Sequence, residues 1–258
     1  MKKILLSSVV AMGLASTVNA GVIVDFEAGA GMWSASPSGE INYDGRNLDL
    51  ENDLGLDSST NNYLYADFSH FVPLIPNVRV ERQELKVDAT KQLANAKFGD
   101  KTYNENTTTS VDLTQNDLIL YWNIPGLKLL TAGILKVDFG IDLKQFDGSV
   151  SLDAPVVGES VADMSFVVPM GYVAATVDPP FIPATISASY KTLSYDGSSI
   201  SDMMAKLSVN LPIPIPLIDI KADIGYKEQS LVIDPSLSDT LDADIKFKGM
   251  FFGLSAKF

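Results

Sequence analysis

The sequence contains a single histidine, His70, in the segment FSHFVPLIP, and no cysteine. Histidine is the commonest general base and metal ligand. One imidazole without thiols cannot assemble the familiar zinc-ligand sets. No glycine-rich phosphate loop and no nucleophile elbow is present. What the chain holds in quantity is charge at alternating positions. Asp25, Glu27, Glu81, Asp138, Asp142, Asp219 and Asp223, with Arg79, Lys136, Lys206 and Lys221, are the candidates for one network. Asp67, Asp117 and Asp202, with Lys144, Lys227 and Lys257, lie in the same kind of pattern. Two carboxylates across a cleft can hydrolyse a glycosidic bond. Mixed charges on facing strands can instead pair with one another and fill a narrow bore. The abundance of both signs favours the second reading, with no catalytic residue, no cofactor and no metal.

A second acidic group, Glu40, Asp44, Asp49, Glu51, Asp53 and Asp57, crowds one polar stretch with Arg46 as its one nearby cation. Hard cations such as calcium bind clustered oxygens. The spacing does not match an EF-hand loop, so a solvated acidic loop is the favoured reading.

The elements that position these residues are strands. The stretch PIPIPLIDIKADIGY alternates strictly, with Ile218, Ile220, Ala222, Ile224 and Tyr226 on one face and Asp219, Lys221, Asp223 and Gly225 on the other. Val137, Phe139, Ile141 and Leu143 alternate in the same way with Lys136, Asp138, Asp142 and Lys144. Helical periodicity is absent, and ten strands are expected at roughly 22–34, 61–71, 77–87, 110–122, 128–146, 162–177, 184–196, 201–211, 217–232 and 241–258.

The links between strands take turns in character. VPLIPN, NIPG, VDPPFIPA and LPIPIPL are short and stopped by proline. The others are longer or more polar, except SYDGSS, which carries the Asp-Gly hairpin signal. An up-and-down barrel puts odd and even links at opposite ends, with short turns on the periplasmic side of an outer-membrane barrel and long loops outside. The expected fold is therefore all-β, a closed antiparallel up-and-down transmembrane β-barrel of about ten strands.

The first twenty residues read as a secretory signal peptide. Lys2 and Lys3 form its positive start, Ile4 to Leu14 its mostly apolar stretch, and Val18 and Ala20 its cleavage pattern. The domain reading is thus 1–20 signal peptide and 21–258 barrel. Without Lys2 and Lys3, the 19 basic residues become 17 against 32 acidic, a net charge of −15. That argues against nucleic acid as a partner.

The final strand, GMFFGLSAKF, places Met250, Phe252, Leu254, Ala256 and Phe258 at alternate positions before a terminal aromatic. Upstream the apolar phase flips to Leu241, Ala243, Ile245 and Phe247, and a bulge at Gly249 is one way to reconcile the two. The other is that residues 241–247 project above the membrane. Tyr63, Tyr65, Trp122, Tyr172, Tyr190 and Tyr226 are candidates for interfacial girdles.

Five segments, LDLENDLGLD, FSHFVPLIPNVRV, PMGYVAATVD, SYDGSSISD and KGMFFGLSAKF, resemble an uncharacterised family of small Gram-negative outer-membrane β-barrel proteins. The resemblance implies fold and address. It also implies that Met250, Phe252, Leu254 and Phe258 act as the C-terminal insertion signal, with the lipid bilayer, periplasmic chaperones and the barrel insertion machinery as partners of a monomer. It implies no activity. The known barrel enzymes place a catalytic histidine near the outer leaflet, whereas His70 is expected at the periplasmic end. The expected role is a non-enzymatic, structural or plugged barrel. A narrow porin-like channel for ions or small solutes, and a surface-loop ligand-binding protein or barrel hydrolase, stay open as alternatives.

Overall fold

The computed structural model describes residues 24–72, 74–234 and 241–258. The expected signal peptide and most of the ninth link lie outside the described residues.

Eight strands come first: β1 (Val24–Tyr43), β2 (Leu48–Asp49), β3 (Ser59–His70), β4 (Asn77–Gln83), β5 (Lys86–Gln92), β6 (Ala96–Phe98), β7 (Lys101–Tyr103) and β8 (Asn106–Asn123). A single helical turn follows, α1 (Leu127–Leu130). Then come β9 (Leu135–Asp153), β10 (Ser160–Val177), β11 (Ala184–Tyr195), β12 (Ser198–Asn210), β13 (Asp219–Ile233) and β14 (Leu241–Lys257). β4 and β5 occupy one position, both against β8. β14 pairs with β1, and the remaining neighbours pair antiparallel in chain order, so ten strand positions close on themselves. Among the described residues the ring of ten positions has no free edge, as a lipid environment requires; the edges of β2 and of the β6–β7 hairpin belong to the loop end.

The four proline-marked links, at 71–76, 124–134, 178–183 and 211–218, lie at one end of the barrel, here the turn end, with Val24 and Lys257. The other end, here the loop end, carries the remaining connections. Asp196 and Gly197 both adopt positive φ, 48° and 80°, as a two-residue hairpin turn requires.

Several strands run further than the sequence suggests. β1 continues to Tyr43 and β9 to Asp153, through residues expected to form loops. The fifth strand starts later than expected, because residues 127–130 form α1.

The reason is an inversion of polarity along each strand. On β9, Val137, Phe139, Ile141 and Leu143 point outward, while Asp138, Asp142 and Lys144 point inward. Further along, with no change of phase, Phe146, Val150 and Leu152 point inward, while Gln145, Asp147 and Asp153 point outward. β14 behaves alike: Leu241, Ala243, Ile245, Phe247 and Phe251 are buried inside, while Met250, Phe252 and Leu254 are exposed outside. Near the turn end the barrel is apolar outside and polar inside. Toward the loop end it is polar outside with an apolar core. The outward apolar run on β9, Leu135 to Leu143, spans about 20 Å at the usual rise and tilt, close to the height of a membrane barrel's lipid belt.

No bulge interrupts β14. Its pairing with β1 keeps one register from Glu27↔Lys257 to Tyr43↔Leu241. Of the two expectations for the phase flip, projection beyond the belt is the one observed. Gly249 has a different task. A Cβ there would sit 1.7 Å from the Ser34 carbonyl oxygen, so only glycine lets β14 press this closely on β1.

Candidate functional site

The interior divides into three tiers. The loop-end tier is an apolar core. Trp33, Phe146, Phe247 and Phe251 are at most 1 % exposed and meet inside the strands. Each such side chain contributes about 1.5–3 kcal/mol by burial. The β6–β7 hairpin joins this core with Phe98 and Tyr103, and the Tyr103 hydroxyl donates to the Leu152 carbonyl at 2.8 Å.

The middle tier is a buried ionic layer. The Lys144 ammonium donates to both Asp117 oxygens, at 2.9 and 2.7 Å, and to Asp202 at 3.4 Å. Lys191 contacts Asp117, donates to Glu81 at 2.6 Å and stands 3.6 Å from Asp142. Lys227 donates to Asp202 at 3.1 Å and packs over the rings of Trp33 and Tyr63. Just loopward, Gln115 and Gln229 exchange two amide hydrogen bonds of 2.9 Å each. β8 and β13 stand five positions apart in the ring of ten, so this pair spans the bore from opposite walls.

The turn-end tier is an open chamber of about 1060 Å³. Asp25, Glu27, Arg79, Glu81, Lys136, Asp138, Lys206 and Lys221 all line it, so the barrel brings eight of the eleven predicted network residues to one space. Arg79 lies over the Tyr65 ring and donates to Glu81 at 2.6 Å, with Asp67 at 3.6 Å. The Tyr65 hydroxyl donates to Glu27 at 2.6 Å, and Tyr121 to Asp67 at 2.8 Å. Lys136 pairs with Asp138 at 3.1 Å, and Lys206 with Asp223 at 3.2 Å. Asp142 lies deeper, fully buried in the ionic layer. Asp219 does not join the network: it is exposed at the first residue of β13.

Other expectations resolve as follows. Tyr63 and Tyr65, at 2 % and 6 % exposure, stand inside the barrel, and Tyr172 lines the chamber. Their phase on β3 and β10 makes them interior residues, not girdle members. Tyr190 and Tyr226 are exposed outside. Met250, Phe252, Leu254 and Phe258 all face outward, and the Phe258 ring packs 5.6 Å from Phe26. His70 closes β3 at the turn end, where its Nδ1 accepts the Val72 N–H at 3.2 Å. The carboxylates of the first loop order turns: Asp49 accepts the Glu51 and Asn52 N–H groups, and Asp53 accepts that of Asp49. Among the described residues no group of three or more His, Cys, Asp or Glu side chains is placed to hold a metal ion.

Lys191 is the member of the ionic layer that sequence reasoning missed. It is the one charge on β11, flanked at alternate positions by Ser189 and Leu193, so no repeating charged face announces it. The apolar tier was missed too, although counting by twos along all of β14 reveals it.

No family model matches the chain, and no curated protein matches it. Solved structures of similar fold include the outer-membrane protease OmpT of Escherichia coli. It is 8 % identical over 91 % of this chain and 96 % of that one, with a TM-score of 0.46. The attachment invasion locus protein Ail of Yersinia pestis, solved with the heparin analogue sucrose octasulfate, is 9 % identical over 91 % and 99 %, with a TM-score of 0.40. The outer-membrane protein OprG of Pseudomonas aeruginosa is 12 % identical over 91 % and 95 %, with a TM-score of 0.32.

Proposed function

We propose that this chain is a sealed, non-enzymatic barrel of the bacterial outer membrane, with its turn end in the periplasm and its loop end outside the cell. The single observation that carries the reading is the filling of the bore. The Gln115–Gln229 pair crosses it, the ionic layer lies below and the apolar core lies above. Ions crossing this path would have to break a buried ion network and then enter an apolar core, both costly. The short proline turns and both strand termini at one end support the orientation. The loop-end extension then acts as a rigid acidic platform above the membrane, and the chamber is blind and opens to the periplasm.

The test is conductance. Purified full-length barrel inserted in a planar bilayer should add no steady single-channel current. Steady steps that shrink when Lys144 or Asp202 is neutralised would overturn the sealed reading in favour of a narrow channel. The unheated barrel should migrate differently from the boiled one on a gel and fractionate with outer membranes.

A further inference from the structure

All four links at the turn end carry apolar side chains that the barrel leaves bare. Leu74 is 90 % exposed, Leu129 86 %, Phe181 95 % and Leu217 91 %. Exposed apolar side chains therefore reach from the ends of the strands, at Phe68 and Val209, onto the links. On the orientation proposed above, this rim meets the periplasmic leaflet.

That places the chamber mouth in an unusual setting. Phe71, Val72, Ile75, Ile124, Leu127 and Leu129 line the same cavity whose floor is charged. At the mouth these apolar side chains stand beside Asp25, Asp178 and Lys257. An amphiphile entering head first would match both surfaces. Both signs of charge are interleaved around the floor: Lys136 pairs with Asp138, Arg79 stands 3.6 Å from Asp67, and Lys206 pairs with Asp223. Lys206 and Lys221 stand on β12 and β13, and the hydroxyls of Thr185, Ser187, Ser189 and Ser208 line the same cavity. Lys221 is set apart from the other lysines of the chamber. Among the described residues its ammonium meets Thr185 Oγ1 at 3.4 Å, and no carboxylate lies within the 4.0 Å of an ion pair. A phosphate beside Lys221 would give it the anionic partner that Lys136, Lys206 and Lys257 already have.

We infer that the chamber is a binding site for the phosphate-bearing head group of a phospholipid drawn from the periplasmic leaflet, with the apolar rim holding its acyl chains. The inference rests on the membrane orientation proposed above and on the chamber's own geometry, and it does not depend on the bore being sealed. Conductance tests that reading separately, so either can fail alone.

The probe is dihexanoylphosphatidylethanolamine, titrated into the full chain held in maltoside micelles, which carry no phosphate. Binding is followed by native mass spectrometry and calorimetry. Lys221→Gln removes the phosphate partner, and Ile75→Ser with Leu129→Ser removes the rim contacts. Lys246→Gln, on the outer face near the loop end, is the control. The heat-dependent gel shift confirms that each variant is folded. The expected result is saturable one-to-one binding, weakened about tenfold by Lys221→Gln, weakened by the rim variant and unchanged by the control. Absence of saturation by the wild-type chain overturns the site. So does binding that neither variant alters. If inorganic phosphate alone binds as tightly and ignores the rim variant, the lipid assignment falls and a free-anion site replaces it.

Discussion

Lys144→Met tests whether the middle tier is a dry ionic plug. The Lys144 ammonium is fully buried, with Asp117 oxygens at 2.7 and 2.9 Å and an Asp202 oxygen at 3.4 Å. Taking the nearer oxygen of each carboxylate and an effective dielectric of about 20, Coulomb's law gives roughly 6 and 5 kcal/mol of gross attraction. Removing the ammonium also relieves its desolvation, several kcal/mol in a real protein interior. The difference is a net loss of about 3–5 kcal/mol, the range expected when one partner of a buried pair is deleted. Methionine keeps the length of the side chain, so little of this loss comes from a cavity. The assay is urea unfolding of the barrel in lipid vesicles, followed by tryptophan fluorescence, at unchanged m-value. The double variant Lys144→Met/Asp117→Asn should lose less than the sum of its singles by about 1–3 kcal/mol, because Lys191 keeps Glu81 and Asp142 as partners. A loss below about 1 kcal/mol for Lys144→Met would refute the reasoning. It would mean that the layer is solvated like a surface ion pair and that water reaches through the bore.

Three further outcomes follow from the polarity inversion. Phe247→Ala, inside the loop-end core at 1 % exposure, should cost about 3–5 kcal/mol in the same unfolding assay. Phe252→Ala, on the outer face of the same strand, opens no cavity and should cost far less. Ile224→Arg, on the lipid-facing side of β13, should cost about 2–4 kcal/mol and slow insertion into vesicles, whereas Asp219→Asn should leave the barrel folded. Above the belt, burial raises the Asp112 carboxyl, but hydrogen bonds from Lys86 and Thr114 outweigh it and hold its pKa below the usual 3.8. A lowered folded-state pKa gives stability that is present above the unfolded value and lost as pH falls through the folded one. The urea midpoint should therefore drop below about pH 4, and Asp112→Asn should remove that part of the drop.

The barrel, its strand count and its two unlike ends were legible because period-two alternation and proline stops are local signals. The network candidates were legible for the same reason: Lys136, Asp138 and Asp142 share one parity on β9. Partner choice was not legible. Lys191 meets Glu81 across four positions of the ring, a distance set by closure and tilt that no local pattern records. The loop-end core was hidden differently. Ala35 and Ile41 keep the inward phase of Glu27, but their surroundings in sequence, SASPSGEINYDG, read as a loop. A strand whose outer face is polar because it stands in water looks like a loop to any reading that expects a lipid-facing outer face.

That inversion also accounts for how one chain can be rich in apolar residues without a long apolar run. A barrel with a single polarity over the full length of β9 or β14 would need long apolar faces with charges always opposite. Here the apolar side switches midway, so Val137–Leu143 serves lipid and Phe146–Leu152 serves the core. Charged and polar residues stay interleaved throughout, and among the described residues no helix is long and apolar enough to cross a membrane. Strands of this design satisfy lipid, the bore and the exterior in turn without offering the roughly 20-residue apolar run that a membrane helix needs. The cost falls on the boundary between regimes, where inward-facing groups change from ionic to apolar. The boundary is occupied by Gln115 and Gln229, neutral amides that can close on each other above the lysines and beneath the aromatic core. A charged residue at either position would carry the ionic layer into the apolar tier without a partner, and an apolar one would leave the facing amide unpaired.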